Sequence, residues 1–205
     1  MLITLLFVVE TGFSQGFVNL NFETATISTN HNPGGDTYTA LISGWIPSNV
    51  PFNSINLDAP GVNLEGTNSP FVPAIEGNYS IFLQGGSSFS PDTNGASIGQ
   101  TGQIPANSLS LMFWGYISST GVSFDGQTLS LVTLGSTANY NIYGADISAF
   151  AGQTGQLLFT VPWQSAGVLD NIQFSSTGVP EPSTLALTAF GAFLLGFCRW
   201  RNSSH

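Results

Sequence analysis

Val122-Ser123-Phe124-Asp125-Gly126-Gln127-Thr128-Leu129-Ser130-Leu131 carries the pattern of a β-hairpin. Apolar and polar residues alternate on both sides of Asp125-Gly126, which is the two-residue period of a half-buried strand. Asp-Gly supplies the two positive-φ positions of a tight hairpin turn. A hairpin with one apolar face has to cover that face with another layer.

Similar segments recur along the chain between Gly, Pro, Asn and Ser clusters. Strands are expected near Val18–Thr26, Leu41–Ile46, Ser54–Leu57, Tyr79–Gln84, Ala96–Gln100, Ser108–Tyr116, Gly121–Phe124, Thr128–Leu134, Tyr140–Tyr143, Gln156–Val161 and Val168–Phe174. Helical periodicity is scarce. Asp146–Phe150 is expected to form one short helix with Asp146 as its cap. Many short strands with Gly/Pro turns argue for a two-sheet sandwich, and strands returning over long connections for a jelly roll. The expected fold class is all-β, a jelly-roll β-sandwich over residues 17–176, followed by a C-terminal hydrophobic helix. No internal repeat is evident.

Charge narrows the function. Arg199 and Arg201 are the only Lys or Arg residues, and of the 11 Asp and Glu residues only Glu10 and Glu181 lie outside 17–176. A domain of one sign repels phosphates, which excludes nucleic acid as a partner. It also has no Lys or Arg with which to form salt bridges. Cys198 is the single cysteine, so no intrachain disulfide forms.

Ser183 to Trp200 carries no charge apart from Arg199, and Leu185–Cys198 is an apolar run. As a helix, residues 183–200 would reach roughly 27 Å, the thickness of a hydrocarbon core. Arginines directly behind such a run hold that end on the cytoplasmic side, leaving the preceding domain outside. The alternative is a buried C-terminal helix, which the missing polar face and the Pro180-Glu181-Pro182-Ser183 stop oppose. Val179-Pro180-Glu181-Pro182-Ser183, an apolar run, then Arg199-Trp200-Arg201 resembles the PEP-CTERM sorting signal of bacterial exported proteins. The resemblance covers Val179 to His205, within a sorting-signal segment of residues 177–205. It implies export, transient anchoring in the inner membrane, processing near Pro-Glu-Pro by an exosortase, and release to the cell surface or an extracellular matrix in bacteria that secrete polysaccharide. Val179, Pro180, Glu181, Pro182, Arg199 and Arg201 would be recognition and topology elements.

Met1 to Val9 is apolar, and Ser14-Gln15-Gly16 offers the small-x-small pattern that a signal peptidase requires. No basic residue precedes the apolar core. Residues 1–16 therefore read as a truncated signal peptide, with an ordinary buried strand as the alternative.

Within the domain, Asn19-Leu20-Asn21-Phe22-Glu23, Ser43-Gly44-Trp45, Ser97-Ile98-Gly99-Gln100-Thr101, Leu109-Ser110-Leu111-Met112-Phe113 and Leu169-Asp170-Asn171-Ile172-Gln173-Phe174 resemble galactose-binding-like jelly rolls, which include many carbohydrate-binding modules. That resemblance implies a structural calcium joining the first strand, an early loop and the last strand. Glu23 and Asp170 match the two strand positions, and Asp36 of His31-Asn32-Pro33-Gly34-Gly35-Asp36 would supply the loop carboxylate. Calcium takes six to eight oxygens from such groups.

A sugar site combines an aromatic platform with hydrogen-bonding side chains. Trp45, Trp114, Tyr116, Tyr143 and Trp163 are candidates, although most aromatics in a sandwich are core. Trp163, after Pro162 and before Gln164-Ser165, reads as a loop residue and is the best single choice. Catalysis has little support: only His31 and His205 are available, and no nucleophile elbow or His/Cys cluster occurs. Two carboxylates would suffice for a glycosidase, but nothing singles out a pair. The expected function is a non-catalytic exported protein associated with exopolysaccharide. The alternative is a secreted glycan-active enzyme.

Overall fold

Alternation of side chains shapes each layer. In Thr154–Val161, residues Gly155, Leu157, Phe159 and Val161 are buried while Thr154 and Gln156 are exposed. The computed structural model describes residues 16–25, 42–48, 60–67, 69, 72–88, 93–117 and 119–179. Among these the strands are β1 (Ile46–Ser48), β2 (Pro60–Gly66), β3 (Tyr79–Gly85), β4 (Ala96–Gln103), β5 (Ser110–Ile117), β6 (Gly121–Phe124), β7 (Gln127–Thr128), β8 (Val132–Ser136), β9 (Asn141–Asp146), β10 (Thr154–Val161) and β11 (Ala166–Ser175). They form a five-stranded sheet, β1-β4-β10-β6-β7, and a six-stranded sheet, β2-β3-β11-β5-β9-β8. All ladder pairs are antiparallel. The fold is all-β, two antiparallel sheets enclosing one apolar core.

Aromatic side chains from both sheets close that core. Phe113 of β5 meets Phe159 of β10 edge to face, with ring centroids 5.2 Å apart. Trp45 lies 6.2 Å from Phe159 and 5.3 Å from Phe22. All four are essentially inaccessible to water. Such pairs add about 0.5–1.5 kcal/mol each beyond area burial. The Trp45 indole donates from Nε1 to the Asn19 carbonyl at 3.0 Å, which satisfies its one polar atom.

The hairpin quoted above is β6 and β7, and its turn has φ of 47° at Asp125 and 79° at Gly126. The expected strand Thr128–Leu134 is instead divided between β7 and β8. The expected helix is a single 3-10 turn, Ser148–Phe150. Asp146 does not cap it as expected: Ile147 holds the N-cap position, and Asp146 Oδ1 accepts the Ser148 N–H at 2.8 Å as a local turn.

The first expected strand does not form. Val18–Ala25 is a run of turns with φ of 50° at Asn19 and 58° at Phe22, bounded by isolated bridges at Gly16 and Ala25. The reason is the side chain of Gln100, which replaces a neighbouring strand. Its Oε1 accepts the Val18 N–H at 2.6 Å, and its Nε2 donates to the Val18 carbonyl at 2.9 Å. Likewise the expected strand Leu41–Ile46 is not continuous over its described residues 42–46: Ile42 makes one bridge, a turn follows, and β1 starts at Ile46. Pro60–Gly66, unexpected from sequence, pairs along its whole length with β3. Expected strand Ser54–Leu57 and the apolar segment 183–200 lie outside the described residues, as do residues 1–15 of the expected signal peptide.

Candidate functional site

The two carboxylates expected to act together do converge. β11 changes register between Asp170 and Gln173, and Asn171 there has φ of 45°. Such a bulge re-aims a side chain and ends regular pairing. The Ile172 N–H then donates to the Leu20 carbonyl at 2.9 Å, tying the last strand to the first segment. Asp170 keeps register with Trp114 of β5 and so stands on the outer face of the six-stranded sheet. It is nonetheless 1% exposed, because the connection leading into β3 covers it.

Both carboxylates grip that connection. Asp170 Oδ2 accepts the Ser80 hydroxyl at 2.7 Å and the Glu76 N–H at 3.1 Å, and Oδ1 accepts the Asn171 N–H at 2.6 Å. Glu23 Oε1 accepts the N–H groups of Asn78 at 2.7 Å and Tyr79 at 3.0 Å, while Oε2 accepts the Asn78 side-chain amide at 2.9 Å. Gly77 between them has φ of 59°, and a Cβ there would run into the Glu23 carboxylate. Glycine at 77 is therefore required both by conformation and by close approach.

The two acids differ electrostatically. Burial pushes Asp170 up to about 6, against the opposing pull of its hydrogen bonds from Ser80, Asn171 and Glu76; the Glu76 charge adds to the rise. For Glu23 burial also favours the neutral form, but the hydrogen bonds from Asn78 and Tyr79 outweigh it and its pKa is lowered. Hydrogen bonding to the charged form is here the substitute for an ion pair.

Asn21, Glu23, Glu76, Asp170, Asn171 and Gln173 share a polar depression of about 470 Å³. Their oxygens are hard donors of the type calcium takes. The chemistry of the set fits the ion; among the described residues no three His, Cys, Asp or Glu side chains are grouped to hold a metal, so a shell there would draw on the Asn21, Asn171 and Gln173 amide oxygens as well. Asp36, the loop carboxylate expected there, lies outside the described residues. Glu76, which sequence reasoning missed, faces this depression because the β2–β3 connection folds back over the sheet. No local motif signals that path.

The aromatic candidates separate by burial. Trp45 and Tyr143 are core. Trp114 is half-buried on the outer face, stacked on Tyr140 at 4.9 Å and 12°. Trp163 does lie in the β10–β11 loop, 37% exposed, with its Nε1 donating to the Ser87 carbonyl at 3.2 Å. Tyr116 is the most exposed aromatic among the described residues, at 62%. Of the sorting residues, Val179 lies over Gly144 of β9, where an added Cβ would meet it, and Ser110 Oγ donates to the Thr177 carbonyl at 2.7 Å just before it. Pro180, Glu181, Pro182, Arg199 and Arg201 lie outside the described residues.

No protein-family model and no curated protein matches the chain. Among solved structures it is similar to the enzymatically active domain of bacteriophage CBA120 tailspike protein 4, at 18% identity and a TM-score of 0.38. The match covers 76% of this chain and 21% of that one, so the chain spans about a fifth of the length of the structure it matches.

The Asp170 shift fixes a pH dependence. A carboxyl whose folded pKa lies above its unfolded value takes up a proton in the folded state first. Its contribution is present in full below the unfolded value of 3.8 and is lost as pH rises through about 6. Two pKa units correspond to roughly 3 kcal/mol. Denaturant unfolding of the wild type is expected to show stability rising as pH falls from 7.5 to 5, with a smaller rise in Asp170→Asn. Glu23 works in the opposite sense, its contribution being lost as pH falls below its ordinary range. Equal slopes in the wild type and Asp170→Asn between pH 5 and 7.5 would contradict the assignment.

Proposed function

We propose that the chain is an exported, non-catalytic protein, sorted by its C-terminal segment and associated with extracellular polysaccharide through its β-sandwich. The observation that carries the sorting reading is the order Val179-Pro180-Glu181-Pro182-Ser183, apolar run, Arg199-Trp200-Arg201. Val179 lies over Gly144 of β9, and Pro-Glu-Pro follows it in the sequence. In this reading an exosortase recognises Pro180, Glu181 and Pro182, and the two arginines hold the segment in the inner membrane until processing. The domain then passes to the cell surface or matrix.

A jelly-roll assignment is supported by strand succession: from β3 through β6 the chain alternates between the two sheets, and it does so again from β9 to β11. Galactose-binding-like jelly rolls carry saccharides, and Trp163 in the β10–β11 loop is one aromatic available to such a ligand. The test is recovery of the protein from its native host. We expect an intact mass lacking Arg199 and Arg201, retention on the host's own polysaccharide, and no release of reducing sugars. A mature product containing both arginines would refute processing, and sugar release would move the protein to the glycan-active enzymes.

Calcium belongs to the same reading. Glu23 and Asp170 would hold it, with Asp36 completing the oxygen shell. A ligand bound to the folded state alone adds about 2.7 kcal/mol at a hundredfold excess over its dissociation constant. Calcium should therefore raise the melting temperature by several degrees over chelator-treated protein, and Asp170→Ala should abolish the difference. Identical melting with calcium and with chelator would remove the ion and leave the hydrogen-bonded clasp alone.

A further inference from the structure

Away from the clasp, a groove of about 570 Å³ opens on the outer face of the six-stranded sheet. Register explains its floor. Val168 of β11 stands opposite Phe82 of β3 on one side and Tyr116 of β5 on the other, so the three side chains form a row on one face. One wall is the Val72–Ile75 segment. It is held by hydrogen bonds from Ala74 N to the Gly66 carbonyl at 3.3 Å and from Ile75 N to Ser80 Oγ at 2.8 Å. The other wall is the turn carrying Asn139, closed by Thr137 N to the Tyr140 carbonyl at 2.8 Å and by Tyr140 N to Thr137 Oγ1 at 3.0 Å. The stack of Tyr140 on Trp114 fixes that turn to β5. Both walls are thus built before any ligand arrives, as binding clefts usually are.

The lining states the class of ligand. None of it is Asp, Glu, Lys, Arg or His. The surrounding domain carries only acidic charge, so a polyanion would approach against repulsion and find no cation to pair with. The floor offers an aromatic ring that is 62% exposed, and the rim offers the Tyr116 hydroxyl and the Asn139 amide. A pyranose has the matching form, with an apolar C–H face to lie on a ring and hydroxyls at its edge to meet polar groups.

We propose that this groove is a binding subsite for an uncharged polysaccharide chain, with the Tyr116 ring as its stacking floor and Asn139 at its polar rim. The proposal rests on the polysaccharide association given above and names its site and ligand class. The Trp163 loop leads into Ala166, which borders the groove.

The test is calorimetric titration of the full-length chain in mild detergent with cellohexaose, laminarihexaose and mannohexaose, with hexagalacturonate as the charged comparator. The wild type is expected to bind at least one neutral hexamer more tightly than the hexagalacturonate. Tyr116→Ala should lower that affinity by about tenfold, a loss of roughly 1.4 kcal/mol. Tyr116→Phe should keep most of it, and both variants should melt like the wild type because the side chain is exposed. Undiminished affinity in Tyr116→Ala would overturn the groove while leaving polysaccharide association standing. Hexagalacturonate bound as tightly as the neutral sugars would overturn the charge argument. Failure of the wild type to bind any of these sugars would overturn the subsite, and retention on the host polysaccharide then decides the broader reading separately.

Discussion

A domain with carboxylates and no Lys or Arg has to hold its negative charge with N–H and O–H donors, and this constraint organises the fold around Glu23 and Asp170. In most proteins a buried acid meets an arginine or lysine. Here the buried Asp170 is met by one hydroxyl and two backbone amides. Glu65, also buried, accepts the Ser69 hydroxyl. Donors of this kind lie on the backbone or on short side chains, so they pull loops inward. That is why a charge-poor chain can still fix a long connection across the outer face of a sheet.

The clasp links parts of the chain that are far apart in sequence. Glu23 comes from the first described segment, Asp170 from the last strand, and both close on residues 76–80 between them. The same residues continue backward into Val72–Ile75, one wall of the apolar groove. The polar depression and the groove therefore share one connection, held from beneath by Ser80 and Asp170. Burial raises the Asp170 pKa, so holding this connection costs stability near neutral pH. The groove wall depends on a contact that is itself strained electrostatically.

Much of this was legible in the sequence where the signal is local. Asp125-Gly126 marked its turn, and the alternation of Gln156–Val161 and Ser108–Tyr116 marked strands close to those found. Glu23 and Asp170 were paired through a family resemblance, and the structure brings them to one depression. What escaped depends on long-range contacts. Val18–Ala25 has the composition of a strand, yet the Gln100 amide, distant in sequence, takes the place of its partner. Pro60–Gly66 escaped because Pro60, Gly61 and Gly66 read as turn residues. The place of Glu76 follows from how the β2–β3 connection folds back, which no spacing encodes, and the exposure of Tyr116 follows from its place on the outer face of β5. Trp163 was found in its loop as read, but its exposure is smaller than that of Tyr116.

In this domain carboxylate-to-amide hydrogen bonds carry the work elsewhere done by ion pairs. Residue-resolved amide hydrogen exchange, compared between wild type and Glu23→Ala, which removes the acceptor, tests this. The N–H groups of Asn78 and Tyr79 are bound to Glu23, whereas that of Glu76 is bound to Asp170. Protection is expected at all three in the wild type, with loss at Asn78 and Tyr79 and protection of Glu76 largely retained in the variant. Unchanged protection at Asn78 and Tyr79, or exchange at open-loop rates in the wild type, would contradict it.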